Sequence, residues 1–362
     1  MPNRRISNAV RLEFKPDSLV QTNLSAAAFT GDWLWVAGDE ACGLDRLKRL
    51  DAVGKEALRF GAARSFALAD LLKLPAAAGD EADLEGMDLA DGCLWIVGSH
   101  GRKRKNAEAG RTDAENADRL AKVSLDGNRR LLACLPVEHD SRGEPRLVRK
   151  SRDGRRALRL AGNARRNGLT RLLKGDPHFG RFMAIPSKDN GFDIEGLAVN
   201  GRRLLLGLRG PVLRGWSALL EIAVEPRARR LRLAPLDDDG TLLRKHFLQL
   251  GGLGVRDLLF AGDDLYILAG PTMALDGEVR VFRWAGARPA LAANREPVRF
   301  EAALAEVAVL PHGHGTDRAE ALCELPPELA QGKPGWLVLY DAPGADRTDG
   351  KHAVFGDLLH LD

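Results

Sequence analysis

The sequence predicts an all-β protein, a β-propeller, on two observations. One short pattern recurs along the chain, and the stretches between its copies read as strands rather than helices. The pattern is clearest in Asp193–Gly210, DIEGLAVNGRRLLLGLRG: an acidic start, a short apolar run, a turn, a second apolar run, and a charged or Gly-rich exit. Asp83–Gly101, DLEGMDLADGCLWIVGSHG, has the same layout, and Gly254–Pro271, GVRDLLFAGDDLYILAGP, repeats it with Arg-Asp in place of Glu-Gly. Asp317–Asp341 runs from DRAEAL to WLVLYD with a longer loop between, and Leu24–Glu40, LSAAAFTGDWLWVAGDE, is a fifth copy. A period near sixty residues, with Gly, Asp or Asn turns inside each copy, marks stacked β-units.

In chain order, Val10–Phe14 alternates and reads as a strand, and the first copy follows. Asp45–Leu72 offers polar strands with a short helical end at Ala67–Leu72. After the second copy a basic tract, RKRKNAEAGR, begins at Arg102. Strands are then expected at Arg119–Ser124 and Arg130–Leu135, joined by an Asp126-Gly127 turn. Residues 138–182 break the pattern: the segment is Arg-rich, and Asn163–Leu173 reads as a helix with Leu169, Leu172 and Leu173 on one face, stopped by Asp176-Pro177. Trp216–Val224 and Arg230–Leu233 supply outer strands to the third copy, Gly277–Trp284 continues the fourth, and Ala353–Leu361 follows the fifth.

Aligning the copies superposes Ser25, Glu85, Glu195, Arg256 and Glu320, at intervals of 60, 110, 61 and 64. The long interval holds either a degenerate sixth unit or a helical insertion at 138–182. Too few strands lie there for a blade, so the expectation is one domain over 1–362 with five blades, six being the alternative. Val10–Phe14 then completes the last blade, because ring closure removes exposed sheet edges.

In a meander the first two strands are antiparallel, so the start of the first and the end of the second share one end of the sheet. With first strands lining the channel, Ser25, Glu85, Glu195, Arg256 and Glu320 are expected to ring one mouth. The exits surround them: Asp39, Glu40, Ser99, His100, Arg209, Gly270 and Asp341. Converging glutamates raise one another's pKa unless compensated. Arg209 and Arg256 are candidate compensators, as is a divalent cation, Ca²⁺ or Mg²⁺, held by Glu85, Glu195 and Glu320. The competing reading makes each Glu structural, bonded to backbone amides of the neighbouring blade.

Other motifs are weaker. GLRGPVLRG, Gly207–Gly215, holds Arg209 and Arg214 in a constrained loop suited to phosphate or carboxylate. SKDNG, Ser187–Gly191, brings Lys188 beside the acidic start of the third copy, over the mouth. SHGRKRK, from Ser99, reads as a solvated loop, and HGHG, from His312, lacks a third metal ligand nearby. A net charge of +4 with 29% charged residues is weak support for a nucleic-acid partner, and the Arg-rich segment lacks interleaved aromatics. No apolar run reaches eighteen residues, and the start of the chain has no apolar signal core. Cys42, Cys93, Cys134 and Cys323 form no CxxC pair and read as free thiols in a reducing cytoplasm. No GxSxG, P-loop or helix-opening GxGxxG is present.

The strings LEGMDLADGCLWIVG followed by SHGRKRK, PSKDNGFDIEGLAV, and LLLGLRGPVLRGWSALLEI resemble the bacterial family DUF3616 over nearly the whole chain. That resemblance implies no activity and carries no catalytic residues. DIEGLAV also resembles the EGLA start of phytase-like propellers, a family that includes Ca²⁺-dependent phosphoester hydrolases. This second resemblance implies Glu195 and Glu85 as site residues. Three functions are therefore expected to compete. One is binding of an anionic small molecule or partner by Arg209 and Arg256. The second is metal-assisted phosphoester hydrolysis, and the third is an interaction scaffold without a small ligand.

Overall fold

Each repeated copy folds as an antiparallel hairpin, and each hairpin opens a meander sheet. In the computed structural model, which describes residues 4–18, 20–330 and 334–360, the first sheet runs Leu24–Thr30, Trp33–Gly38, Gly43–Leu50, Leu58–Ala67. The second runs Leu84–Ala90, Cys93–Gly98, Leu132–His139, with Pro145–Leu147 and Leu158–Arg159 beside the last. The third runs Asp193–Asn200, Arg203–Leu213, Trp216–Arg227, Arg244–Gln249, and the fourth Gly254–Ala261, Asp264–Gly270, Val279–Trp284, Ala305–Leu310. Arg318–Glu324, Trp336–Asp341 and Ala353–His360 form the fifth, which Arg4–Glu13 completes from the other end of the chain. That N-terminal strand also pairs in parallel with Leu58–Ala67 of the first sheet. Leu361 of the expected last strand, and 331–333 in the long loop of the fifth copy, lie outside the described residues.

The core explains why the strands carry continuous apolar runs. Successive residues of a strand face opposite sides, and both sides are covered here. Ala26, Ala28, Trp35 and Ala37 pack against Met87, Leu94 and Ile96 of the second sheet. Their neighbours Ala27, Phe29, Leu34 and Val36 pack against Ala321, Cys323 and Leu337 of the fifth. Clusters of the same kind join second to third, third to fourth and fourth to fifth sheets. The first strands of the sheets therefore pack side by side in a ring, and the fold is mostly β and propeller-like. Glycine permits this approach. A Cβ on Gly86 would lie 2.8 Å from Leu197 Cβ, and one on Gly196 2.8 Å from Leu258 Cγ, too close for any side chain.

Two expected elements differ. Of Arg119–Ser124 only Val123–Ser124 is a strand, paired with Lys103–Arg104; Asp113–Ala121 is a helix, because Thr112 and Glu115 form a capping box ahead of good helix formers. The helix expected over Asn163–Leu173 is Gly168–Lys174, since the Asn167 side chain caps it by accepting from the Thr170 amide. The surrounding segment also contributes two short strands that pair with Leu132–His139. Among the described residues no helix is long and apolar enough to cross a membrane.

Candidate functional site

The aligned positions of the five copies share a backbone irregularity. The register passes from Leu24↔Gly38 to Ala26↔Ala37, from Leu84↔Gly98 to Gly86↔Val97, and from Ile194↔Leu208 to Gly196↔Gly207. It passes likewise from Val255↔Ala269 to Asp257↔Leu268, and from Ala319↔Tyr340 to Ala321↔Leu339. In each hairpin the skipped residue is the aligned one: Ser25, Glu85, Glu195, Arg256 or Glu320. A β-bulge leaves a residue out of the ladder and re-aims its side chain. Glu85, Glu195, Arg256 and Glu320 line one cavity of ≈ 450 Å³, together with the exits Asp39, Glu40, Arg209 and Asp341.

Charges in this cavity alternate along a chain. Arg209 lies 2.5 Å from Asp193 and 2.6 Å from Glu195; Arg256 lies 3.2 Å from Glu195 and 2.7 Å from Glu320. The Arg209–Asp193 contact is an ion pair without hydrogen-bond alignment, since both Asp193 oxygens lack a hydrogen-bond partner. Arg256 also donates to the Pro271 carbonyl. Both guanidiniums are buried. Opposite them Arg129 reaches Asp83 at 2.8 Å, and Arg318 reaches Asp341 at 3.5 Å.

Two carboxylates stand outside this pairing. Glu85 is 8% exposed, and among the described residues no hydrogen bond or ion pair reaches its carboxylate. Asp39 Oδ1 is buried with no hydrogen-bond partner. Burial first, then the charges of Asp83, Glu195, Glu320 and Asp39, hold the Glu85 carboxyl well above the usual carboxylate range. Burial, then Asp83 and Asp341, pushes Asp39 up to about 6. Burial outweighs Arg256 at Glu320, which rises to about 8, and outweighs Arg209 at Asp193, which rises to about 7. The lining holds nine carboxyl groups against seven Lys and Arg side chains, a formal −2 only where every carboxyl is ionised.

Several expectations need correction. His100 is not at the mouth: it is buried behind it, its Nδ1 2.8 Å from the Gly98 carbonyl and its Nε2 2.8 Å from the Asn167 amide. Burial and Arg130 lower its pKa to about 3, so it stays neutral. Ser25 faces the fold, bonding the Leu84 and Ala37 carbonyls. Arg209 and Arg256 are not free for an anion, because each already compensates two carboxylates. Glu85, Glu195 and Glu320 do not form a metal cage: among the described residues no group of three His, Cys, Asp or Glu is placed to hold a metal ion.

The backbone-bonding role expected of the repeated Glu falls elsewhere. Asp88 accepts from the Val199 amide of the next first strand at 2.7 Å, and Asp257 accepts from the Leu322 amide at 2.8 Å. Asp83, Glu81, Arg129 and Arg318 also line the cavity and were not singled out from sequence. Asp83 had a signal, since DLEG and DIEG place an Asp two residues before the Glu. Arg129 had none: it arrives on a 3₁₀ turn, Gly127–Arg130, outside the repeat. SKDNG does reach the mouth through Ser187, Lys188 and Asp189, whereas His314 of HGHG faces Asp276 at 2.8 Å.

Fold and cavity together define a propeller-like, mostly β protein with a carboxyl-rich cavity at one end of its ring. The chain belongs to the family described as protein of unknown function (DUF3616), whose model matches residues 23–357. No curated protein matches it. Among solved structures, Myxococcus xanthus glutaminyl cyclase is similar at 10% identity and a TM-score of 0.39, over 100% of both chains. The PQQ-bound aldose sugar dehydrogenase of Streptomyces coelicolor is similar at 10% identity and 0.38, over 100% of this chain and 99% of that one. A Bombyx mori GH32 β-fructofuranosidase is similar at 11% identity and 0.39, over 94% and 60%. Likenesses at this level carry no activity to this chain.

Proposed function

We propose that the chain is a five-bladed β-propeller of the cytoplasm that binds a small organic cation at the acidic mouth of its channel. Five apolar clusters, each shared by consecutive sheets, support the blade count, and four free thiols fit a reducing compartment. The observation that carries the ligand is Glu85: a carboxylate 8% exposed, on a β-bulge, aimed into a cavity and without a partner. Burial and four acidic neighbours disfavour the charged form of Glu85, and a cation entering beside Glu85 and Asp39 offsets that penalty and favours the carboxylate. An anion has no free guanidinium to meet, only the exposed Lys188, whose charge already acts on Asp39 and Asp341. A divalent metal at Glu85 requires Glu195 and Glu320 to leave their arginines.

Thermal shift tests this with four additives: ethylammonium chloride, Ca²⁺, Mg²⁺ and inorganic phosphate. A ligand at one hundred times its Kd stabilises the native state by about 2.7 kcal/mol. Stabilisation by the amine, lost in Glu85→Gln, is the expected result. Stabilisation by phosphate alone returns the site to the anion reading, by Ca²⁺ or Mg²⁺ alone to the metal reading, and by none of the four to the scaffold.

A further inference from the structure

The carboxyl-rich cavity has an apolar rim. Leu120, Met273 and Leu275 are 46%, 44% and 61% exposed, and all three line the cavity that Glu85 faces. Among the described residues six large hydrophobic side chains are so exposed, and the other three do not line this cavity. Isolated exposed apolar residues need no explanation, whereas a cluster rimming a polar pocket marks a contact surface.

The rim is also built rather than incidental. Leu120 sits on the capped helix Asp113–Ala121, Met273 and Leu275 on the loop that follows Asp264–Gly270. Arg104 joins the two, donating to the Leu120 carbonyl and pairing with Asp189 at 2.7 Å. Asp189 in turn forms an isolated β-bridge with Met273. One connected wall therefore presents three apolar side chains to the cavity that Glu85 and Asp39 also line.

We infer that the ligand is an amphipathic amine, its ammonium at Glu85 and Asp39 and its hydrocarbon body against Leu120, Met273 and Leu275. This rests on the cation reading of the same site. Charge alone is satisfied by any small cation, but the rim is satisfied only by one with an apolar tail. Burial of each added methylene tightens binding roughly fourfold at most.

Calorimetric titration of the full chain with ethylamine, butylamine and hexylamine, each as its hydrochloride, tests the inference. Hexanol and hexanoate serve as neutral and anionic controls. Kd is expected to fall about two- to fourfold per methylene along the amine series, with hexanol and hexanoate far weaker. In the triple variant L120S/M273S/L275S the chain-length dependence flattens, so that hexylamine loses most of its advantage over ethylamine. These residues are exposed, and circular dichroism and melting verify the fold. Amines that bind with equal affinity at every length, or a triple variant that keeps the full slope, overturn the rim assignment and leave the cation site standing. If no amine binds, or if Glu85→Gln binds hexylamine as tightly as the parent, the cation site falls and the rim assignment with it.

Discussion

Replacing Glu85 by Gln should make the ligand-free protein more stable at neutral pH, the reverse of what truncating a structural carboxylate does. The parent side chain is 8% exposed and unpartnered, and four other carboxylates, Asp83, Glu195, Glu320 and Asp39, disfavour its charge. An amide carries no charge and offers donors toward those acids. Relieving one buried, unsatisfied group is worth about 1–3 kcal/mol. An unfolding entropy of about 2.1 cal/mol/K per residue gives roughly 0.76 kcal/mol/K over 362 residues. The gain then corresponds to a Tm rise of roughly 1–4 °C.

The pH dependence follows from linkage. The folded pKa of Glu85 lies above its ordinary 4.5, so the folded state binds its proton more tightly than the unfolded state. Its contribution is fully favourable below 4.5 and is lost as pH rises through the folded value. Parent and Glu85→Gln should therefore melt nearly together at about pH 4, with the gap opening steadily toward about pH 8. Differential scanning calorimetry on both proteins over that range measures the gap. A variant less stable than the parent at pH 8 refutes the reasoning, because it means Glu85 has a partner that Gln cannot keep.

Glu195→Gln should act oppositely. Its carboxylate bridges Arg209 and Arg256, and breaking a buried ion network costs about 3–5 kcal/mol, so melting should fall by roughly 4–7 °C; a variant within about 1 °C of the parent removes Glu195 from that role. Cys93 should be the first cysteine alkylated by iodoacetamide near neutral pH. The hydrogen bond from Cys134, then Arg155, lowers its thiol to about 7, whereas burial raises Cys42 to about 11 and pushes Cys323 up. Arg155→Ala should slow that labelling, and mass spectrometry showing Cys42 modified first would contradict the assignment.

What the chain determined locally was legible in its sequence. The continuous apolar runs within Ala26–Val36 or Leu197–Leu208 encode strands buried on both faces, and Gly/Asp turns encode the hairpins. The repeat alone picked out the four charged residues that sit on equivalent bulges and line one cavity. The helix Asp113–Ala121 was missed because a basic, turn-rich tract masked its capping box. Which carboxylates are free was not legible at all. Arg209 neutralises Asp193 and Glu195 within its own hairpin, but Arg256 does so for Glu195 and Glu320 across sheet boundaries, and Arg129 reaches Asp83 from a turn outside the repeat. His100, adjacent in sequence to the mouth, turns inward because Asn167 offers it a buried partner. Position along a strand is set by local backbone geometry and can be read from a pattern. Whether a buried charge is paired depends on side chains that only ring closure brings within reach of one another.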